Sequence, residues 1–269
     1  MVFASRGVAQ DDGAGGVTRR RAALLVRVAV LAGLVATLEI CCRTGIIDPL
    51  TIIPPSDMVG SMIDRVGSGE LDESIVNTFS TIALAFVLAI LCGTLAGALV
   101  HRSSRLRDVV DPLLASYYSV PTFIFYPLLV ALLGLGKAPL VVLGVLSAAP
   151  AVMIGTLSGL DGVSPVLLKL ARVHRLSPAR TLWWIVLPAA LPRLFSGFKL
   201  ALSYALIGVI AGEFILSGTG LGYAISFAYQ SFDNRAMYGL MLFVLLVAVI
   251  ANGILYVWEG RLARRRSTG

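Results

Sequence analysis

Six stretches of about 20 mostly apolar residues, the length that a helix needs to cross a bilayer, constrain this chain more than any other feature. They cover approximately residues 22–42, 75–99, 113–133, 139–158, 197–217 and 237–257. Of the 269 residues, 57% are hydrophobic and 14% are charged, whereas soluble domains have about 25% charged residues. A water-soluble enzyme, a disordered chain and a disulfide scaffold are excluded. The sequence therefore predicts an all-α integral membrane protein with six transmembrane helices.

The lysines and arginines are unevenly divided between the two sides of these predicted spans. If both termini are cytoplasmic, 18 of the 22 lysines and arginines fall in cytoplasmic segments. Because positively charged loops remain on the cytoplasmic side of a membrane, we predict an N-in/C-in topology. The net charge of +7 then follows from topology and from contacts with anionic membrane lipid, and it does not require nucleic acid as a partner.

The segments outside the spans are short. Residues 21–260 form one predicted six-helix transmembrane domain. Residues 1–20 are rich in Gly, Ala and Asp and have no apolar period, so we predict a flexible cytoplasmic tail there, and residues 261–269 form a basic cytoplasmic tail. The loop between the first two spans contains apolar residues at helical spacing, which predicts a short amphipathic helix over residues 56–66.

The predicted cytoplasmic loop 159–196, between the fourth and fifth spans, is too long for a simple connector. It carries six cations and one anion. The pattern predicts two short helices, the second with Ser177 as its N-cap and Pro178 in its first turn. Pro188 and Pro192 are expected to break the chain before the fifth span. Two helices here serve either as a docking device for a partner or as an interfacial anchor for the bundle.

The loop carries three elements of a known sequence signature at the spacing of that signature: Ala171, Ile185 and Leu187–Pro188. On these residues the sequence resembles the permease subunit of binding-protein-dependent ABC importers. Over residues 45–260 it is most similar to the nitrate/sulfonate/taurine branch of that family. The other matching motifs are Pro54–Pro55–Ser56, Gly69–Glu70–Leu71, Asp111–Pro112–Leu113, Val120–Pro121, Tyr126–Pro127–Leu128, Gly134–Leu135–Gly136, Ala189–Ala190–Leu191–Pro192, Glu213 and Gly220–Leu221–Gly222.

Three positions depart from the signature of that family. Lys169 stands where the signature has Glu, Leu170 replaces its first Ala, and Arg175 replaces its Gly. A non-glycine residue with positive φ costs about 1–2 kcal/mol, so either the turn at Arg175 has another geometry or the strain is tolerated. The reversed charge at Lys169 indicates either an ATPase surface adapted to it, as in one half of an unlike pair, or a poorly coupled subunit.

The resemblance implies a set of partners in a bacterial cytoplasmic (inner) membrane. These are a second permease subunit, like or unlike, two cytoplasmic ABC ATPase subunits, and an extracytoplasmic solute-binding protein. ATP and Mg are expected on the ATPase, so this chain is expected to be non-catalytic and to bind no cofactor or metal. The implied solute is a small nitrate-, sulfonate- or taurine-like compound or a related small organic compound. The implied ATPase-coupling residues are Lys169, Leu170, Ala171, Arg172, Arg175, Leu176, Ser177, Pro178, Arg180, Trp183, Ile185, Leu187 and Pro188.

Polar and aromatic residues on the third to fifth spans are candidates for lining the solute path, because those spans line it in the family. The candidates are Tyr117, Tyr118, Thr122, Tyr126, Ser147, Ser203, Tyr204 and Glu213. Ordinary hydrogen bonds between membrane helices explain each of them equally well. Glu213, an acid within the fifth span, either caps backbone N–H groups around residues 217–220 or contributes to an outer gate.

Two other classes of membrane protein compete with the importer. Ion-coupled secondary carriers often have internal repeats and buried acid–base pairs near the bilayer midplane, and the sequence indicates neither. A non-transporting membrane anchor of a complex is compatible with the long basic loop. The matches in the spans and in the first loop favour the importer.

Overall fold

The computed structural model describes the backbone of residues 12–267 and the side chains of residues 25–259 except Leu216. Every regular element in this part of the chain is helical. The α-helices are α1 (Asp12–Arg43), α2 (Pro55–Gly67), α3 (Asp72–His101), α4 (Ser104–Tyr117), α5 (Tyr126–Leu133), α6 (Lys137–Asp161), α7 (Pro165–Val173), α8 (Pro178–Thr181), α9 (Leu187–Leu216), α10 (Leu221–Gln230) and α11 (Asn234–Ser267). A 3₁₀ turn, Thr122–Phe125, precedes α5, and a π-helical turn, Leu182–Val186, joins α8 to α9.

Five of the described helical segments are long and apolar enough to cross a membrane, and a sixth crossing is obtained if α4 and α5 form one bent span. The predicted all-α membrane fold is therefore confirmed. The short helix predicted over residues 56–66 is also present, as α2.

The terminal helices extend farther than expected. α1 begins at Asp12 and α11 continues to Ser267, so parts of both predicted tails are helical. Arginine, which favours helices, is common in both extensions, and no proline interrupts them. Residues 1–11 and 268–269 lie outside the described residues, and the predictions for them stay predictions.

Residues 12–60 and 61–267 belong to two separate compact units. In the first unit, the Glu39 carboxylate accepts hydrogen bonds from Arg43 Nε at 2.6 Å, from the Ser56 backbone N–H at 3.0 Å and from Ser56 Oγ at 2.7 Å. These contacts join the end of α1 to the start of α2. They also give hydrogen-bond donors to the Glu39 carboxylate, which lies at the end of an apolar helix.

The core of the second unit forms where α3, α6 and α9 pack together. The crossing of α6 and α9 depends on glycine, because a Cβ built on Gly155 would lie 2.8 Å from the Cα of Gly197. At the crossing of α3 and α6, a Cβ on Gly93 would lie 2.6 Å from Val152 Cβ. Small residues let membrane helices approach closely where lipid provides no hydrophobic drive for association. The core therefore gains its contacts from close helix crossings.

Loops at the two ends of the second unit are held by polar contacts. At one end, His101 Nδ1 lies 3.1 Å from Asp161 Oδ1, which joins the ends of α3 and α6. We call this the basic end. At the opposite end, Arg65 Nη2 lies 2.9 Å from Asp233 Oδ2, and Ser61 Oγ donates to the Arg235 carbonyl at 2.7 Å. The predicted cytoplasmic loops of this unit thus share one end, and residues 61–67 and the loop before α11 share the other.

The third apolar stretch differs from the single helix that we predicted over residues 113–133. α4 ends at Tyr117, and the chain turns by 97° before Thr122–Leu133 continues. Pro121 explains the break, because a proline disfavours the α conformation in the residue before it. The proline was visible in the sequence, and its position inside an apolar stretch was the available signal.

The fifth span differs in the opposite way, since Pro188 and Pro192 do not break it. The prediction of a break there is wrong: both prolines lie inside α9. Just before them, Leu187 N–H donates to the Leu182 carbonyl, five residues earlier, as in a π-helix. The wider turn absorbs the local distortion that proline imposes, so the helix continues to Leu216.

Candidate functional site

The loop predicted to dock a partner folds into two short helices that begin in the same way. Ser164 caps α7 and accepts a hydrogen bond from Val166 N–H at 3.3 Å, with Pro165 in the first turn. Ser177 caps α8 and accepts from Arg180 N–H at 3.4 Å, with Pro178 in the first turn. Both caps satisfy backbone donors that have no partner inside the helix.

The turn between α7 and α8 has left-handed geometry at Arg175, with φ of 51°. Arg175 N–H donates to the Arg172 carbonyl, and Leu176 N–H donates to the Ala171 carbonyl, both at 3.0 Å. These two bonds define a Schellman motif, which usually has glycine at the Arg175 position. Of the two alternatives raised by the sequence, the structure has the strained one: the turn is kept and arginine occupies it.

Arg175→Gly is expected to raise the free energy of unfolding by about 0.5–1 kcal/mol, because relief of 1–2 kcal/mol of strain is partly offset by added freedom of the unfolded chain. Thermal unfolding of the purified protein in detergent measures the change. The matched control is Arg172→Gly, which lies within α7 and should lower stability by about 1 kcal/mol. A loss of stability in Arg175→Gly would contradict the assigned geometry.

One face of α7 presents apolar side chains to the surroundings. Val166, Leu170 and Val173 lie at helical spacing and are 71%, 48% and 78% exposed. Lys169 and Arg172 lie beside them and are exposed. We call these five residues the coupling surface. The sequence prediction included Leu170 but missed Val166 and Val173, although their spacing of four and three residues around Leu170 was a usable signal.

The other predicted loop residues divide between the interior and the surface. Ala171 is buried, and Leu176, Ile185, Leu187 and Pro188 are half-buried within the chain. The exposed ones are Lys169, Leu170, Arg172, Arg175, Ser177, Pro178, Arg180 and Trp183. Within residues 25–259, none of the four basic side chains among them forms an ion pair, so their charge is free to meet a partner.

Glu213 is a buried acid, 1% exposed, one turn before the end of α9. Its Oε2 accepts from Gly222 N–H at 2.9 Å. The Thr78 hydroxyl, 2.9 Å from Oε1 and 2.8 Å from Oε2, donates to the carboxylate and accepts from Leu221 N–H at 2.8 Å. A Cβ on Gly220, where φ is 100°, would lie 2.4 Å from the carboxyl carbon. The acid therefore caps the start of α10 at Gly222, just beyond residues 217–220, where we expected the cap.

Several of the predicted path residues meet where the third span bends. The Tyr118 and Tyr204 rings stack with centroids 4.6 Å apart. The Tyr117 hydroxyl donates to the Leu146 carbonyl at 2.8 Å, and the Thr122 and Ser147 hydroxyls lie 2.7 Å apart. The remaining candidates make other contacts. Ser203 pairs with Asn252, Tyr126 is buried beside Leu140 and Leu143, and Glu213 contacts α3 and α10.

A charged cluster at the basic end was not anticipated from the sequence. Arg107 donates to both Asp161 oxygens, at 2.8 and 2.6 Å, and its Nε donates to Asp111 at 3.2 Å. An open cavity beside the cluster also has Arg193 in its wall. The spacing of four residues between Arg107 and Asp111 was a signal, but the pairing with Asp161, 54 residues away, required the fold.

A second ion pair joins α9 to α11 at the basic end. Lys199 donates to the Glu259 carboxylate, which also accepts from Ser196 Oγ at 2.9 Å. Glu259 lies just beyond the last predicted span, so this pair is not at the middle of the helices, where ion-coupled carriers place their acid–base pairs.

Residues 74–268 match the family described as the binding-protein-dependent transport system inner membrane component. A probable ABC transporter permease protein of Haemophilus influenzae is 35% identical over 66% of this chain and 71% of its own length. The taurine transport system permease protein TauC of Escherichia coli is 29% identical, covering 72% and 70%. A putative aliphatic sulfonates transport permease protein, SsuC of Bacillus subtilis, is 27% identical, covering 93% and 91%.

The fold is similar to that of the MetNI methionine ABC transporter in an inward-facing conformation. The TM-score is 0.59 at 20% identity, over 72% of this chain and 95% of that chain. Fold and sequence matches together define a membrane-spanning transport subunit. The chain belongs to the family of binding-protein-dependent transport system inner membrane components, the permeases of ABC importers.

Proposed function

We propose that this chain forms the transmembrane path of an importer for a small sulfonate, taurine-like or nitrate-like solute in a bacterial inner membrane, with both termini in the cytoplasm. The names of similar permeases support this solute class, since they specify taurine, aliphatic sulfonates and nitrate. The excess of lysine and arginine at the basic end supports the orientation.

The coupling surface carries the proposal. Its exposed apolar stripe with a basic rim suits a groove on a cytoplasmic ABC ATPase, in which apolar contacts supply affinity and rim charges set orientation. ATP and Mg bind to that ATPase, and this chain supplies no catalytic group. ATP binding favours one state of the ATPase dimer, so it can drive the permease between two conformations.

Two more proteins complete the importer in this proposal. A second permease subunit, identical or unlike, forms the other half of the path, and a solute-binding protein delivers the solute at the opposite end. The bend in the third span supports a path beside it, because irregular backbone at membrane depth is tolerated where it is buried or lines a cavity. Tyr117, Tyr118, Thr122, Ser147 and Tyr204 are then the residues nearest to the solute.

Uptake into proteoliposomes tests the proposed function. The chain is reconstituted with the ATPase and binding protein of its own importer, and uptake of taurine, ethanesulfonate and nitrate is measured with and without ATP. We expect saturable, ATP-dependent uptake of one of these probes. Uptake that follows an ion gradient without the ATPase would favour a secondary carrier. Assembly with partners but no uptake of any probe, and no stimulation of ATP hydrolysis, would favour a membrane anchor.

A further inference from the structure

The cytoplasmic half of the third span is weakly attached to the rest of the chain. No residue of α4 is buried, although its length and position make it half of a bent span. Burial of side chains in the bundle therefore does little to hold this helix. Two polar attachments do so instead: the Tyr117 hydrogen bond at its last residue and the Arg107 contacts in its first turn.

The Arg107 attachment is the stronger of the two. Its guanidinium donates in parallel to both carboxylate oxygens of Asp161, a bidentate geometry that fixes orientation as well as distance. Asp111, one turn later on α4, accepts from the same guanidinium, and His101 at the end of α3 contacts the same carboxylate. Three helices of the second unit therefore meet at one arginine–aspartate pair.

Asp161 also lies next to the coupling surface. It is the last residue of α6, and only residues 162–164 separate it from α7. It is the single acidic residue in the loop 159–196. Any displacement of α7 thus reaches Asp161 through a very short connection, and it passes from there to α4 through the ion pair.

We propose that the Arg107–Asp161 pair positions α4 by linking it to the coupling surface, so that movement of α7 is transmitted to the bent third span. The inference rests on the proposed function, because it assigns the pair a part in ATP-driven movement. The side chains are 38% and 34% exposed, so water can solvate both if they separate. Such a pair can separate and re-form during a transport cycle at little cost in free energy. A deeply buried pair that separated would leave each charge without a compensating partner or water.

The test compares Arg107→Gln with Arg105→Gln in the reconstituted importer. Arg105 lies on the same turn of α4, is exposed, and has no ion pair within residues 25–259. For Arg107→Gln we expect solute uptake per ATP hydrolysed to fall about tenfold, the size of a typical coupling between sites. Basal ATP hydrolysis, co-purification with the ATPase and the thermal unfolding midpoint are expected to stay near native values. Arg105→Gln is expected to leave all four readouts unchanged.

A charge exchange decides the case in which Arg107→Gln fails to fold. Arg107→Asp combined with Asp161→Arg and Asp111→Asn restores opposite charges at the two positions without placing two carboxylates one turn apart on α4. We expect it to recover at least half of the native uptake per ATP. A folded triple variant that stays uncoupled overturns the proposal, as does Arg107→Gln with native coupling. A native chain with neither ATPase nor uptake overturns the proposed function as well, so the two failures are distinguishable.

Discussion

Glu213→Ala is expected to lower the free energy of unfolding by about 3–5 kcal/mol, because it removes a buried hydrogen-bond acceptor and the volume of its side chain. The change leaves the buried N–H of Gly222 and the hydroxyl of Thr78 without their acceptor. It also opens a cavity where α3, α9 and the start of α10 meet. Thermal or denaturant unfolding in detergent measures the loss.

Two controls separate the capping role from a general effect of charge. Glu213→Gln keeps the shape and one acceptor oxygen, so it should lose about 1 kcal/mol. Glu73→Ala removes an exposed acid near the start of α3 and should change stability by less than about 0.5 kcal/mol. If Glu213→Ala proves no less stable than Glu73→Ala, the carboxylate does not hold α10.

Replacement of both Leu170 and Val173 with glutamate is expected to weaken binding of the partner ATPase by at least about a hundredfold, since burial of each side chain contributes about 1.5–3 kcal/mol. Both residues are exposed on the coupling surface, so the fold should tolerate the change. The added carboxylates also neutralise the positive charge of Lys169 and Arg172 on the same surface. Pull-down of the ATPase from detergent extracts, with titration of the ATPase, measures affinity.

Leu135→Glu is the matched control for the coupling surface. Leu135 is 81% exposed and lies between α5 and α6, in the loop at the opposite end. The same change from an exposed apolar residue to an acid should leave ATPase binding unchanged. Equal binding by the native chain and the Leu170/Val173 double variant would show that α7 is not the docking helix.

The parts of the candidate site that are local in sequence were predicted well. Ser177 and Pro178 mark the start of α8, because a cap depends on residues within one turn. The left-handed position at Arg175 was identified as one of two alternatives, since the motif fixes where the turn must lie. The exposed stripe of α7 was only partly predicted, although it too is local, because the family signature includes the position of Leu170 but not those of Val166 or Val173.

The parts that depend on residues far apart were not predictable. The Arg107–Asp161 pair joins residues 54 positions apart, and Thr78 reaches Glu213 across 135 positions. Sequence assigned Arg107 and Asp161 only a side of the membrane. The sequence showed that Glu213 lies within a span, but it did not show which groups donate hydrogen bonds to it. Hydrogen bonds between helices depend on how the helices cross.

The sequence by itself determined the membrane class, the apolar helices and the division of basic residues between the loops. These features follow from the energetic cost of placing polar groups in a bilayer. That cost depends on the composition of each segment and not on its neighbours. Only the tertiary structure decided that Pro121 bends its span while Pro188 and Pro192 do not, and which charged residues pair. A proline's effect and a polar group's partner depend on the surrounding helices, whose close crossings at residues such as Gly155 are set when the bundle packs.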